Sequence, residues 1–321
     1  MVPSGFLLVL VGALLPLASF GVIALRAWGA LRRRLPFFKR RPPGPLVAAA
    51  LWPPLAIAAG AYAAVFTLSL AWAFLVEPHW VTVERSRIET DQPLLGRRTL
   101  KILHVTDLHL EEFGDVEERL LQVARDERPD LVLLTGDYVN RRESVSLLVL
   151  LLRGLSAPLG VFGVEGHHDH KYRIAQAFEE GGATLLRDEF VNLSGTGRPV
   201  TIAGLTMHPA RTLADVLRTA PPEAYRIVLH HEPDAATKLI PGQAGLYLCG
   251  HTHGGQIRVP ALGPLLPAWR GPEGLGRGQS AVQGTTVIVN RGLGMSGGPL
   301  PKARFLSRPE IRVIEIVATG K

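Results

Sequence analysis

The sequence has a single cysteine, Cys249, so no intrachain disulfide framework holds the chain together. Its place in an apolar run reads as a small buried strand residue. Charge is missing from two long stretches: residues 1–25 and 42–76 contain no Asp, Glu, Lys or Arg. Between them, residues 26–41 contain no acid. They carry Arg26, Arg32, Arg33, Arg34, Lys39, Arg40 and Arg41, and these seven account for the whole formal net charge of +7. A basic excess would ordinarily raise nucleic-acid binding. Here one short loop explains it, so no nucleic-acid partner is expected. Internal repeats and low-complexity tracts are also missing.

The uncharged stretches have the length of membrane spans. Residues 5–25 run GFLLVLVGALLPLASFGVIAL, about the roughly 20 residues that cross a hydrocarbon core. Residues 46–76 are interrupted at Pro53–Pro54. A helix from about Leu55 to Val76 would span, with the prolines near its start, where a missing N–H costs least. A cleaved signal peptide is the rival for the first run, but its positive charge would precede the apolar part. A buried core hairpin is the soluble alternative. Two helices joined by a basic loop fit best. Basic loops stay on the cytoplasmic side, so the chain after residue 77 is expected outside, at a cell membrane it crosses more than once. Trp72, His79 and Trp80 suit an interfacial belt at the exit. The spans hold no intramembrane charge, which leaves a transporter without a substrate path.

Residues 81–98 read as a linker with some strand character. Then short apolar strands alternate with amphipathic helices: 101–106, helix 116–127, 130–137, helix 144–155, 160–166, helix 172–180. That order argues for parallel pairing in an α/β domain. The second half is richer in strands, at 199–205, 226–230, 245–250, 254–260, 285–290 and 310–318. Turns dense in Gly and Pro lie between them, above all over 260–278.

Polar residues gather where the strands end, the edge at which open α/β sheets bind ligands. Five clusters stand there: Asp107-Leu108-His109, Gly136-Asp137, Gly166-His167-His168-Asp169, His230-His231, and Gly250-His251-Thr252-His253-Gly254-Gly255. Asp-x-His and Gly-Asp are common by chance, and the Gly-His-Thr-His-Gly-Gly stretch alone could be a polar surface loop. Together they hold most of the chain's eleven histidines. Carboxylate with imidazole suits Zn, Mn or Fe better than Ca. The ligands exceed what one ion needs, which points to a two-ion site of the kind that clamps a phosphoryl displacement.

This ordered series resembles the calcineurin-like metallophosphoesterase superfamily, and within it the membrane-anchored YkuE/YaeI-like phosphohydrolases. The carriers are KILHVTDLHL, LLTGDYV, GVEGHHD, IVLHHEPD, LYLCGHTHGGQ and the tail VNRGLG…RPEIRVIEI, from about residue 100 to 317. The resemblance implies an α/β, four-layer αββα sandwich with two mixed sheets over 99–321, preceded by the linker at 81–98 and the membrane hairpin at 1–80. It implies two divalent ions, Mn, Zn or Fe. Asp107, His109 and His253 would hold the first, Asp137 would bridge, and His231 and His251 would hold the second. A bridging hydroxide would attack a phosphomonoester, phosphodiester or lipid-linked pyrophosphate. His168 would stabilise charge and protonate the leaving oxygen, with Asp169 orienting it.

One residue departs from the pattern. The family motif reads Gly-Asn-His-Asp, and His167 stands where Asn belongs. His167 could ligate the second ion, point away and leave that ion weak, or mark a degenerate site that only binds a phosphorylated ligand or a partner protein. His230 beside His231 leaves a register ambiguity. His231 is preferred because it lies two residues before Pro233. His104 reads as core. His79 reads as interfacial, and His170 and His208 as surface positions near the site. Arg291 is a candidate for a substrate phosphate.

Overall fold

The structure, a computed structural model, describes residues 45–265, 274–296 and 302–319. The first apolar run and the basic loop lie outside them. The chain divides into two compact units, Met1–Leu75 and Val76–Lys321.

In the first unit α1 covers Pro45–Ala71; a π-helical turn, Trp72–Val76, ends that unit, and a short 3-10 turn, Glu77–His79, belongs to the second. The helix begins well before Leu55, so Pro53 and Pro54 fall inside it rather than at its start. Two N–H donors are therefore missing from its ladder. Among the described residues one segment is long and apolar enough to cross a membrane, Ile57–His79. Its large apolar side chains, such as Ile57, Val65 and Leu68, are exposed.

Among the described residues the second unit carries fourteen strands. They are β1 Thr82–Thr90, β2 Thr99–Val105, β3 Leu131–Thr135, β4 Val161–Val164, β5 Thr184–Leu185, β6 Glu189–Leu193 and β7 Val200–Gly204. Then follow β8 Tyr225–Leu229, β9 Leu246–Cys249, β10 Arg258–Val259, β11 Gly263–Pro264, β12 Gly278–Val282, β13 Thr285–Val289 and β14 Glu310–Ala318. One six-stranded sheet has the order β1-β14-β2-β3-β4-β5 and the other β12-β13-β9-β8-β7-β6. Strands β2 to β5 pair in parallel, as do β13, β9, β8 and β7. Antiparallel partners join each set: β14 on β2, β12 on β13 and β6 on β7. Both sheets are mixed.

Period-2 alternation explains how the sheets pack. In β3, Leu131 and Leu133 enter one apolar cluster, and Val132 and Leu134 another. In β9, Leu246 and Leu248 face the first of these, and Tyr247 and Cys249 a third. The shared cluster lies between the sheets, where Ile102, Leu133 and Ile314 meet Ile202, Leu229, Leu248 and Ile288. The outer face of the first sheet is covered by α2 Asp115–Glu127, α3 Val145–Gly154 and α4 Ile174–Gly181. Their buried residues recur at helical spacing, as with Leu120, Val123 and Ala124. Glu117 Oε2 accepts the Gly114 N–H at 2.9 Å and fixes the start of α2. Truncating Leu133, fully buried in the middle layer, would cost about 2–5 kcal/mol.

Two expectations change. The stretch expected as a linker contains β1, which pairs in parallel with β14 from Thr82↔Glu310 to Thr90↔Ala318. Its alternation TVERSRIET is carried by polar residues, because one face of the strand, with Arg85, Arg87 and Glu89, is exposed to solvent. The strand expected at 254–260 is instead a 3-10 turn, His253–Gly255, and the two-residue β10. The glycines that let that loop turn also end the regular pairing.

Candidate metal centre

Every cluster lies just beyond the carboxyl end of a parallel strand. Asp107 and His109 follow β2, Asp137 follows β3, and His167 and His168 follow β4. His231 follows β8, and His251 and His253 follow β9. Backbone hydrogen bonds stitch the loops together. Asp107 N donates to Gly136 O at 2.9 Å, His109 N to Asp137 O at 3.0 Å, and Gly250 N to His231 O at 3.0 Å. Asp107, His109, Asp137, His251 and His253 all have positive φ, between 45° and 69°. Such a conformation is uncommon outside glycine and gathers where a site demands it. Gly250 is needed for close approach, since a Cβ there would strike Asp107 Oδ2 and Thr106 Oγ1. Gly136, at φ +90°, makes the turn that presents Asp137.

The result is a set of overlapping groups able to hold a metal ion: Asp107 with His109 and His253, Asp107 with Asp137 and His231, His109 with Asp137 and His168, and His167 with His231 and His251. All seven residues expected as ligands belong to these groups, as does His168. His253 Nε2 is 3.3 Å from Asp107 Oδ1 and 3.2 Å from His109 Nε2. Asp137 Oδ2 lies 3.6 Å from His109 Nε2 on one side and 3.3 Å from His231 Nε2 on the other. Three buried polar atoms of the cluster have no hydrogen-bond partner: Asp107 Oδ1, His231 Nε2 and His167 Nδ1. Buried polar atoms are almost always satisfied. Orphaned oxygen and nitrogen lone pairs around one point fit a divalent cation.

Other nitrogens are anchored so that these stay free. His109 Nδ1 meets Asn140 Oδ1 at 2.7 Å, and His231 Nδ1 donates to Thr135 O at 2.7 Å. Burial lowers His109 to about 4 and His251 to about 3, so both rings are neutral near pH 7 and can offer a lone pair. Burial raises Asp107 to about 6, whereas Asp137, although buried, is held well below the carboxylate range by His231 and His109. His231 goes the other way. Burial opposes its charge, but Asp137 and Asp107 outweigh that and raise it to about 10. Without an ion a proton on His231 neutralises the carboxylates, and an ion would displace it.

The His230/His231 ambiguity has a geometric answer. His230 turns both nitrogens to backbone, Nδ1 accepting the Glu232 N–H at 3.2 Å and Nε2 donating to Thr206 O at 3.2 Å, while His231 faces the carboxylates. Asp169, expected to orient His168, is engaged with backbone. Its buried carboxylate accepts the N–H groups of Asp137 and Gly166 at 2.7 Å and of Tyr138 at 2.9 Å. Among the described residues it makes no hydrogen bond to the His168 ring. Three backbone donors face inward from the loops and compete for it, so Asp169 organises the loop that presents Asp137. Arg291 is also engaged elsewhere, with Glu310 at 2.6 Å and Glu84 at 2.9 Å. His104 is core, buried and bonded to Thr135 Oγ1 at 2.9 Å. His208 and His170 are exposed.

Four neighbours were not expected at the site. Asn140 and Glu232 hold His109 and His167. Arg304, fully buried, donates to the carbonyls of Arg291, Gly292, Gly294 and Ser307 and braces the last loop. Ser307 Oγ donates to His253 O at 2.7 Å, while Ser307 N donates to Glu77 Oε1 at 2.6 Å. One residue thus links the site to the turn that closes the apolar segment.

Comparison with known proteins accords with this geometry. The calcineurin-like phosphoesterase family model matches residues 100–255. The chain is 32% identical to the metallophosphoesterase YkuE of Bacillus subtilis, over 83% of this chain and 95% of that protein. It is 28% identical to the phosphodiesterase YaeI of Escherichia coli, over 75% and 90% of the two chains. It is 26% identical to the UDP-2,3-diacylglucosamine pyrophosphatase LpxG of Chlamydia trachomatis, over 76% and 92%. The residue series, the paired mixed sheets and the similarity to YkuE over most of both chains agree: the chain belongs to the calcineurin-like metallophosphoesterases, of the YkuE/YaeI-like branch.

Proposed function

We propose that this metallophosphoesterase hydrolyses phosphate esters at a centre of two divalent ions, beside a membrane. Asp107, His109, Asp137 and His253 would hold one ion, and Asp137, His167, His231 and His251 the other. The observation that carries this reading is Asp137 Oδ2, flanked by His109 at 3.6 Å and His231 at 3.3 Å. One carboxylate oxygen between two imidazole groups is what a bridging ligand requires. Bound ions supply Lewis acidity, neutralising phosphoryl oxygens and readying a water for attack. In this reading α2, α3 and α4 on one sheet, and the short helix Leu213–Val216 with its neighbouring 3-10 turns on the other, are the outer layers of a four-layer αββα sandwich.

The chain's own groups do the rest. The His168 N–H donates to Asp137 Oδ1 at 2.8 Å and turns the other oxygen toward the two histidines. The His168 ring stands edge-on to His109 with centroids 4.9 Å apart, and it is only partly buried. It can reach a leaving oxygen and protonate it. Asp169 holds the backbone of Asp137 and Gly166 in place.

The reading extends to location and substrate. The basic loop at 26–41 favours an extracytoplasmic domain on a chain that crosses the membrane twice. LpxG is named for a diacylated sugar-nucleotide pyrophosphate. A lipid-linked phosphate or pyrophosphate is therefore the proposed substrate class. The test is hydrolysis of bis(p-nitrophenyl) phosphate and of a lipid pyrophosphate by the full chain in detergent. Chelator should abolish it and added metal restore it. No hydrolysis with Mn, Zn, Fe, Co, Ni or Mg would contradict the proposal and favour a phosphate-binding module instead.

A further inference from the structure

Glu232 directly follows His231 within IVLHHEPD, and the resemblance gives it no role. Its Oε1 lies 2.8 Å from His167 Nε2. A carboxylate only accepts, so the neutral ring carries its hydrogen on Nε2 and its lone pair on Nδ1. Nδ1 is buried without a hydrogen-bond partner. The ring centroid is 4.7 Å from His251 and 5.4 Å from His231. Asn140 and the Thr135 carbonyl do the same for His109 and His231, engaging Nδ1 and leaving Nε2 to the site. Glu232 is itself fixed: its carbonyl accepts Tyr247 Oη–H at 2.8 Å, and its N–H donates to His230 Nδ1 at 3.2 Å.

We infer that Glu232 is a positioning residue that holds His167 as the third imidazole of the second ion's site, and that this nitrogen-rich site favours Zn, Co or Ni over Mn or Mg. The inference rests on the two-ion reading above. Its chemistry follows from the replaced residue. An asparagine offers a hard amide oxygen, whereas three imidazoles with the Asp137 oxygen make a borderline donor set. Imidazole is longer than an amide, and the His167 side chain is 38% exposed. Unanchored, it can swing to solvent or present the protonated nitrogen.

The test uses the full chain in detergent, stripped of metal and reloaded with Zn or Mn alone. Content is read by mass spectrometry and affinity by competition with a chromophoric chelator. Glu232→Ala should weaken the second equivalent of Zn about 10–100-fold, the usual effect of losing a partner that orients a ligand. Glu232→Gln, whose amide oxygen still accepts, should recover most of it. His167→Asn should raise Mn relative to Zn, and adding Glu232→Ala to His167→Asn should change nothing further. Melting in chelator checks that each variant folds.

A Glu232→Ala chain that binds the second Zn as tightly as wild type, with the same Zn-to-Mn preference, overturns the inference. So does an equal loss from Glu232→Ala in the His167→Asn background, which would mark a general structural role. A wild-type chain that takes up one ion or none overturns the two-ion reading along with it, so the two failures are distinguishable.

Discussion

Asp137 Oδ2 lies 3.3 Å from His231 Nε2, and this contact joins the two sets of metal-capable side chains. The residues come from different sheets, Asp137 from the end of β3 and His231 from the end of β8. The site therefore exists only when both sheets are packed. Asp137→Asn should remove metal from both halves and lower hydrolysis by more than the about 10–100-fold that losing a ligand's partner costs. Metal content and turnover measured together check this. Retention of wild-type metal would contradict the bridging role.

His168 separates ligand from acid. Replacing it with alanine should lower hydrolysis of an alkyl phosphate about 100- to 10,000-fold with metal content unchanged. An activated aryl ester, whose leaving group needs no proton, should suffer far less. Loss of one ion from the variant would show that His168 is a ligand.

Asp169 accepts three backbone N–H groups. Asp169→Asn keeps one acceptor and turns a donor toward another, leaving at least one N–H unsatisfied. The cost should be about 1–3 kcal/mol. Denaturant unfolding should show this loss in chelator, before any ion is added. Unchanged stability with reduced turnover would return Asp169 to the role of orienting His168.

Above pH 6.5, where the rings lowered by burial are neutral in both the folded and unfolded chain, the metal-free chain should lose stability as pH rises. Burial raises Asp107 to about 6, and burial with Asp137 raises Asp169 to about 7, from 3.8. An acid whose folded value is raised contributes stability that is present below the unfolded value and lost as pH rises through the folded one. His231, raised from 6.5 to about 10 by the nearby carboxylates against its burial, contributes stability that is complete below 6.5 and lost through 10. Ions replace the proton on His231 and neutralise Asp107, so the melting-temperature gain from metal should grow between pH 5 and 8. A gain that shrinks over that range would contradict the ligand set.

Sidedness is accessible because Cys249 is the only cysteine and is buried. Glu118→Cys, on an exposed position of α2, presents one reachable thiol. A membrane-impermeant maleimide added to intact cells should label it. Labelling only after lysis would reverse the proposed orientation.

Much of this was legible because chemistry and period coincide. The alternation of β3 and β9 follows directly from LVLLT and LYLC, and each ligand cluster stands where an apolar run stops. What could not be read depended on partners distant in sequence. β1 is a polar strand whose place is set by β14, more than two hundred residues later. Asp169 sits beside His168 in the chain, yet its hydrogen bonds go to Asp137, Tyr138 and Gly166. Glu232 stands in IVLHHEPD without an expected role, Arg304 belongs to no local pattern, and only the folded geometry brings them to His167 and the last loop.

The most direct measurement is a metal titration of the chelator-stripped full chain, reading bound metal and bis(p-nitrophenyl) phosphate hydrolysis in the same samples. Activity should stay low at one ion per chain and rise as the second binds. Full activity without metal or with one ion, or two bound ions and no phosphoester hydrolysed, would contradict the two-ion account.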